Sequence, residues 1–382
     1  MVIVMVTPHE YTSRHMALAI SRKYRPQKLS DLLGQETVVE LLQSAAKQDR
    51  IGHAYLFYGP RGTGKTTAAR LIAKLANCEK RKSDAAFRGR GEPCNECQPC
   101  TAITNGSSLD VVEIDAASNR GIDEIRDLKE SVTTAPASSA YKVYIIDEAH
   151  MLTGPAFNAL LKTLEEPPAH AIFILATTEY EKLPATITSR TQRFLFKKQA
   201  KRTIVEKLTS IAKVEGILIA PDALELIAAA ADGSFRDAES LLQQLGTMEE
   251  TVDLATAERL TGRTGLQKVD RLAELLLAGM LPAALELIAS LAGEGHNPVQ
   301  FTKDLIHYLR KAVALKANPA LADLFRGELT ADEFSRLERL AAKVSPETHV
   351  KLLKALIRAY GEMQYSPFAT IPLEIALIEQ LH

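Results

Sequence analysis

Five short runs rich in β-branched and aromatic residues interrupt an otherwise helical pattern: HAYLFYG (53–59), DVVEID (110–115), KVYIID (142–147), AIFILATT (171–178) and QRFLF (192–196). Longer segments with helix-like spacing separate them, and that alternation predicts a parallel α/β sheet within residues 22–199. Beyond about residue 200 the strand signal stops. IVEKLTSIAKVEGI, DALELIAAAAD and FRDAESLLQQL read as amphipathic helices divided by Gly, Pro and Asp, a small helical domain over 200–264. Leu/Ala-rich helices then run over 265–382, with Pro282, Pro298, Pro319, Pro346 and Pro367 near the expected breaks, and no internal repeat is visible. Residues 1–21 are set aside as an N-terminal extension without a role, Met16 being a second candidate start.

Composition changes this picture little. At 382 residues the chain has room for two or three cores, and a formal net charge of -1 with a pI near 6.8 gives no whole-chain attraction to nucleic acid. Any DNA contact must therefore come from local groups or from assembly. The opening MVIVMV is too short for a secretory core and lacks a basic lead, and no other window reaches a membrane span, so a cytoplasmic protein without membrane contact is expected.

The sharpest chemistry lies in GPRGTGKTT, directly after the first strand and before the helical AARLIAKLA. Gly59, Gly62, Thr63, Gly64, Lys65, Thr66 and Thr67 form a P-loop: its glycines let backbone N–H groups wrap phosphates, Lys65 reaches the outer ones, and the Thr66 hydroxyl can ligate Mg²⁺. In KVYIIDEAH, Asp147 falls at the carboxyl end of a strand, suited to the Mg²⁺ shell, with Glu148 beside it to orient or activate water. ATP is the expected nucleotide.

All four cysteines of the chain cluster. Fifteen residues separate Cys78 from Cys94, then two precede Cys97 and two precede Cys100, a spacing that can close a tetrahedral Zn²⁺ site. Disulfides are disfavoured in a nucleotide-hydrolysing chain that lacks a signal peptide. With four cysteine ligands and no open position, the site is expected to be structural. The enclosed segment 79–92, with five basic and three acidic residues, is expected to be a solvated loop.

RKYRPQKLSDLLGQE (22–36), the P-loop, IIDEAHML, NALLKTLEEPP (158–168), LATTE, LPATITSR (183–190) and GSFRDAESLL (233–242) together resemble the AAA+ clamp loader ATPases, in particular the gamma/tau family of bacterial DNA polymerase III. The resemblance covers about residues 20–260 with the motifs in order. It implies an AAA+ P-loop domain with a zinc-module insertion at about 78–100, a helical lid over 200–264 and an all-α collar for oligomerisation over 265–382. It also implies roles: Arg190 as an arginine finger completing a neighbour's ATP site, worth roughly 10³–10⁵ in rate, Thr178 or its rival Thr177 as sensor 1, and Arg236 as the sensor 2 cation on the lid. Tyr24, Arg25 and Pro26 would flank the adenine.

In DAASNRGIDEIRDL, Ser118 to Gly121 sit where a helix begins, with N–H groups and Arg120 available to a DNA phosphate; local pairing of Arg120 with Asp123 or Glu124 is the alternative. Lys162 is placed to couple DNA contact to the catalytic strand, or to pair with Glu165 or Glu166. The resemblance thus implies the motor subunit of a clamp loader, in a pentamer with other loader subunits, acting on a sliding clamp and gripping primed DNA by its backbone. Two other readings share much of the motif set: another AAA+ DNA-remodelling motor such as a branch-migration ATPase, and a partner that binds ATP without turning it over.

Overall fold

A computed structural model describes residues 19–119, 121–248, 250–261, 265–294 and 296–381. The five apolar runs are strands: β1 Ala54–Tyr58, β2 Val111–Asp115, β3 Lys142–Asp147, β4 Ala171–Thr177 and β5 Gln192–Leu195. They pair in the order β2-β3-β4-β1-β5, every pair parallel. Parallel pairing brings all carboxyl ends to one edge, where ligands bind in open α/β sheets; Tyr58 is level with Thr177, and Asp115 with Asp147.

Successive strand residues face opposite sides, so each strand feeds two cores. Phe57, Ile145 and Ile174 pack against Leu71 and Ile72 of the P-loop helix Lys65–Asn77 and Leu42 of the helix Glu36–Lys47. Leu56, Tyr144, Ile146 and Phe173 face the helices Ile122–Thr133 and Gly154–Glu165 through Ile125, Leu128 and Leu160.

After β5 the described chain is helical apart from an isolated bridge between Ile219 and Val252. The lid helices Lys201–Glu215, Pro221–Ala230 and Phe235–Leu245 enclose a core of Ile204, Leu208, Ile227 and Leu242. Ile20 joins that core, and its backbone N–H donates to Gln243 at 2.9 Å. The described end of the segment set aside as an extension is therefore part of the lid, a contact 223 residues away in sequence. A larger helical core follows, built on Leu305, Leu309, Leu337, Leu352, Leu356 and Leu377. Pro282, Pro298 and Pro346 sit in the first turns of its helices, where a missing N–H costs nothing. No helix among the described residues is long and apolar enough to cross a membrane.

The segment 79–92 is not the solvated loop its charges suggested. It forms two short helices, Glu79–Ser83 and Ala85–Arg88, and Arg81 is buried, donating to the carbonyls of Leu75 and Ala46.

Candidate active site

The P-loop turns directly off β1. Gly59 (φ 137) and Gly62 (φ 71) have left-handed backbones that side chains rarely adopt; a Cβ on Gly59 would meet the Phe196 carbonyl oxygen at 2.1 Å, and one on Gly62 the Ser234 Oγ at 1.8 Å. Close approach of the loop to β5 and to the lid thus requires glycine. Lys65 is buried and donates to the carbonyls of Gly59 at 2.8 Å and Pro60 at 2.7 Å, and Thr63 Oγ1 also donates to Pro60 at 2.9 Å. Burial lowers the Lys65 pKa from its ordinary value, with Glu148 and Asp147 opposing.

Two groups suited to a divalent cation already touch: Thr66 Oγ1 donates to Asp147 Oδ2 at 2.6 Å. Glu148 follows with φ +47, its N–H on Asp147 Oδ1 at 2.9 Å. Its carboxylate accepts from the Thr178 hydroxyl at 2.9 Å and the Thr178 N–H at 3.3 Å. Thr177, one residue back and fully buried, shares a 3.0 Å hydrogen bond with His150 Nδ1 and accepts from Glu179 N–H at 3.1 Å. Of the two threonines, Thr178 is the one joined to Glu148.

Thr66, Asp147 and Glu148 face a cleft of about 530 Å³ between the sheet edge, the lid and the first described segment, while Thr177 and Thr178 are not among its lining residues. Gly62 to Thr67, Asp147 and Glu148 line one side; Arg25 and Pro26 line another, and exposed Arg236, in the first turn of the lid helix, completes it. Tyr24 is not among the lining residues. It packs against the lid core, and its hydroxyl donates to Glu215.

Arg190 lies outside this cleft. Its Nε is 2.6 Å from Glu165 Oε1, its Nη2 reaches the same oxygen, and its Nη1 donates to the Thr186 carbonyl at 2.7 Å. Glu165 is thus taken by Arg190, while Lys162 stands exposed on the same helix. Arg120 lies outside the described residues; beside it, the Ser118 hydroxyl donates to Asp115 Oδ2 at 3.1 Å, and Gly121 precedes the helix Ile122–Thr133.

The four cysteines converge at the end of the P-loop helix, their Sγ atoms all within 4.8 Å of one another. A tetrahedral ion with Zn–S near 2.3 Å would set that edge at about 3.8 Å, so a small inward movement closes the cluster on one metal. Backbone N–H groups already point at the sulfurs, from Cys94 to Cys78 at 3.4 Å and from Cys97 to Cys94 at 3.3 Å. Such donors favour thiolate over thiol.

Three family models match the chain in succession: DNA polymerase III, delta subunit, over residues 34–200; DNA polymerase III clamp loader subunit, ATPase lid domain, over 203–245; and DNA polymerase III subunits gamma and tau domain III over 252–382. DNA polymerase III subunit tau of Bacillus subtilis is 43% identical over 362 residues, 94% of this chain and 62% of that protein. The chain belongs to the gamma and tau family. The gamma/tau subunit of Mycobacterium tuberculosis (strain H37Rv) is 37% identical, again over 94% of this chain and 61% of its own length. The chain therefore spans about three fifths of these gamma and tau relatives. A solved Bacillus subtilis clamp loader delta protein aligns over 90% of this chain and 99% of its own, at 15% identity and a TM-score of 0.38.

Within this gamma/tau chain, sequence reasoning missed a pair on the cleft wall. Lys207 Nζ lies 2.6 Å from Glu239 and 4.3 Å over the Phe235 ring, and all three line the cleft. Glu239 is buried; burial raises its pKa, and Lys207 opposes that shift. A signal was available, because Glu239 falls on the same stripe of FRDAESLLQQL as Phe235 and Leu242, where a carboxylate is out of place.

Proposed function

We propose that this chain is the ATP-hydrolysing motor subunit of a bacterial DNA polymerase III clamp loader, working in the cytoplasm on a sliding clamp and primed DNA alongside other loader subunits in a pentamer. The P-loop would hold the phosphates of ATP, with Lys65 leaving its two carbonyls for the outer ones. Thr66 and Asp147 would carry Mg²⁺, which offsets charge on the transferring phosphoryl group. Glu148 would orient the attacking water, Thr178 would act as sensor 1, and Arg236 would couple the lid to the terminal phosphate. Arg25 and Pro26 would border the adenine. Zinc on Cys78, Cys94, Cys97 and Cys100 would be structural, and Arg120 and Lys162 would meet the DNA backbone. The working division is an ATPase core to about residue 199, a lid to about 264 and a collar beyond.

One observation carries the assignment to an assembly. The cleft has its P-loop, carboxylates and lid cation, yet Arg190 is held outside it by Glu165. A finger so placed would serve a neighbour's cleft rather than its own. Steady-state ATPase tests this: the chain alone should turn over slowly, and the rate should rise sharply only with clamp, companion subunits and primer-template together. Stimulation by branched or duplex DNA without a clamp would point to a different motor and withdraw the assignment.

A further inference from the structure

The cysteine cluster and the nucleotide cleft lie on opposite sides of one short stretch of chain. Arg25, Pro26, Asp31 and Leu32 line the cleft, while the backbone between them is gripped from behind by the insert. Glu92, two residues before Cys94, accepts from the N–H groups of Leu29 at 2.7 Å and Ser30 at 2.9 Å. Asn95, the residue after Cys94, donates to the Gln27 carbonyl at 2.9 Å. Lys74, 2% exposed on the P-loop helix, donates to both Gln27 Oε1 at 2.6 Å and Asn95 Oδ1 at 2.8 Å, and Gln27 Nε2 passes the contact to the Arg25 carbonyl at 3.0 Å.

Asn95 holds a left-handed backbone, φ +62, in the turn between Cys94 and Cys97. A metal that fixes both sulfurs fixes that turn, and with it the amide that grips Gln27. The Lys74 ammonium joins that turn, through Asn95, to Gln27.

We propose that the insert is a brace for the nucleotide cleft: through Glu92, Asn95 and Lys74 it sets the position of the wall Arg25–Leu32, so that metal occupancy and nucleotide affinity are coupled. This rests on reading the cleft as a nucleotide site. Coupling is reciprocal, so a bound nucleotide tightens the metal's affinity by the factor by which metal tightens the nucleotide.

The test uses the full 382-residue chain, a fluorescent ADP analogue as probe and zinc content as a second readout. In the wild-type chain, stripping zinc with a chelator under reducing conditions should weaken the analogue about tenfold, a typical coupling, and re-adding zinc should restore it. A chain carrying Glu92→Ala and Asn95→Ala keeps its four cysteines; it should retain one zinc, bind the analogue about as weakly as stripped wild type, and lose nothing further on stripping. Gln27→Ala attacks the joint from the other side and should behave alike. Equal affinity with and without zinc in the wild type overturns the brace, as does wild-type affinity in the zinc-loaded double variant. Failure of the zinc-loaded wild type to bind the analogue at all, at the level of a Lys65→Ala control, would instead overturn the nucleotide site and the brace with it.

Discussion

Glu148 pairs a strained backbone with a side chain anchored by Thr178 at the edge of the cleft. A non-glycine residue at φ +47 costs on the order of 1–3 kcal/mol and persists only where its surroundings dictate it; here Asp147 and Thr178 do so through three hydrogen bonds. Both Thr178 contacts fall on Glu148 Oε2, so the second carboxylate oxygen is left to align a water while Thr178 fixes the side chain. Glu148→Gln keeps the shape and the hydrogen bond from Thr178 while removing the base. Hydrolysis should fall by about 10²–10⁴, the usual worth of a positioned base, while the affinity for ATP stays near that of the wild type. Single-turnover hydrolysis beside equilibrium nucleotide binding checks this, and full turnover in the variant would remove Glu148 from the chemistry.

At the scale of elements, Asp110 shows how the sheet edge is secured. It is fully buried just before β2, and accepts from the N–H groups of Ala137 at 2.6 Å, Ser138 at 2.9 Å and Ser139 at 2.8 Å, and from the Ser138 hydroxyl. Burial pushes its carboxyl up, but these donors outweigh burial and hold the pKa below the ordinary carboxylate value. A depressed folded pKa gives stability that is present above the unfolded pKa and lost as pH falls through the folded one. Asp110→Asn should therefore cost about 2–3 kcal/mol at neutral pH, as for a buried hydrogen bond to a charged group. The gap in urea midpoint between variant and wild type should narrow as pH is lowered into the carboxylate range; a gap that widens on acidification would contradict the sign. The inner strands β1, β3 and β4 were readable in advance, because parallel strands buried on both faces are continuous apolar runs. The P-loop and Asp147 were equally readable, each being local in sequence. Arg81 and Tyr24 were not: their partners, the Ala46 carbonyl and Glu215, lie 35 and 191 residues away, and no local pattern marks them. Thr177 and Thr178 could not be separated until the end of β4 fixed which of them meets Glu148.

Across the whole molecule, two routes lead outward from the lid and the ATPase core, each marked by an ion pair. Lys201, at the start of the first lid helix, pairs with buried Glu333 and lies 3.7 Å from Glu225, an ionic link between the lid and the C-terminal helices. Arg190 gives the second route. Its pair with Glu165 is partly exposed, the side chains 32% and 47% accessible, and such pairs are worth about 0–1 kcal/mol. If Arg190 is the finger proposed above, it would stabilise a phosphoryl transition state by roughly 10³–10⁵ in rate, about 4–7 kcal/mol at 1.4 kcal/mol per tenfold, and a pair as weak as that with Glu165 would not hold it back. Complementation separates action in trans from action in cis. Arg190→Ala leaves a complete P-loop without a finger to lend, and Lys65→Ala leaves a finger beside a disabled P-loop. Assembled alone, each should be nearly inactive. In a random 1:1 head-to-tail mixture, about a quarter of junctions join an intact P-loop to an intact finger, and ATPase activity should return in that proportion. A mixture as inactive as its parts would place Arg190 in the service of its own chain, against the geometry that holds it on Glu165.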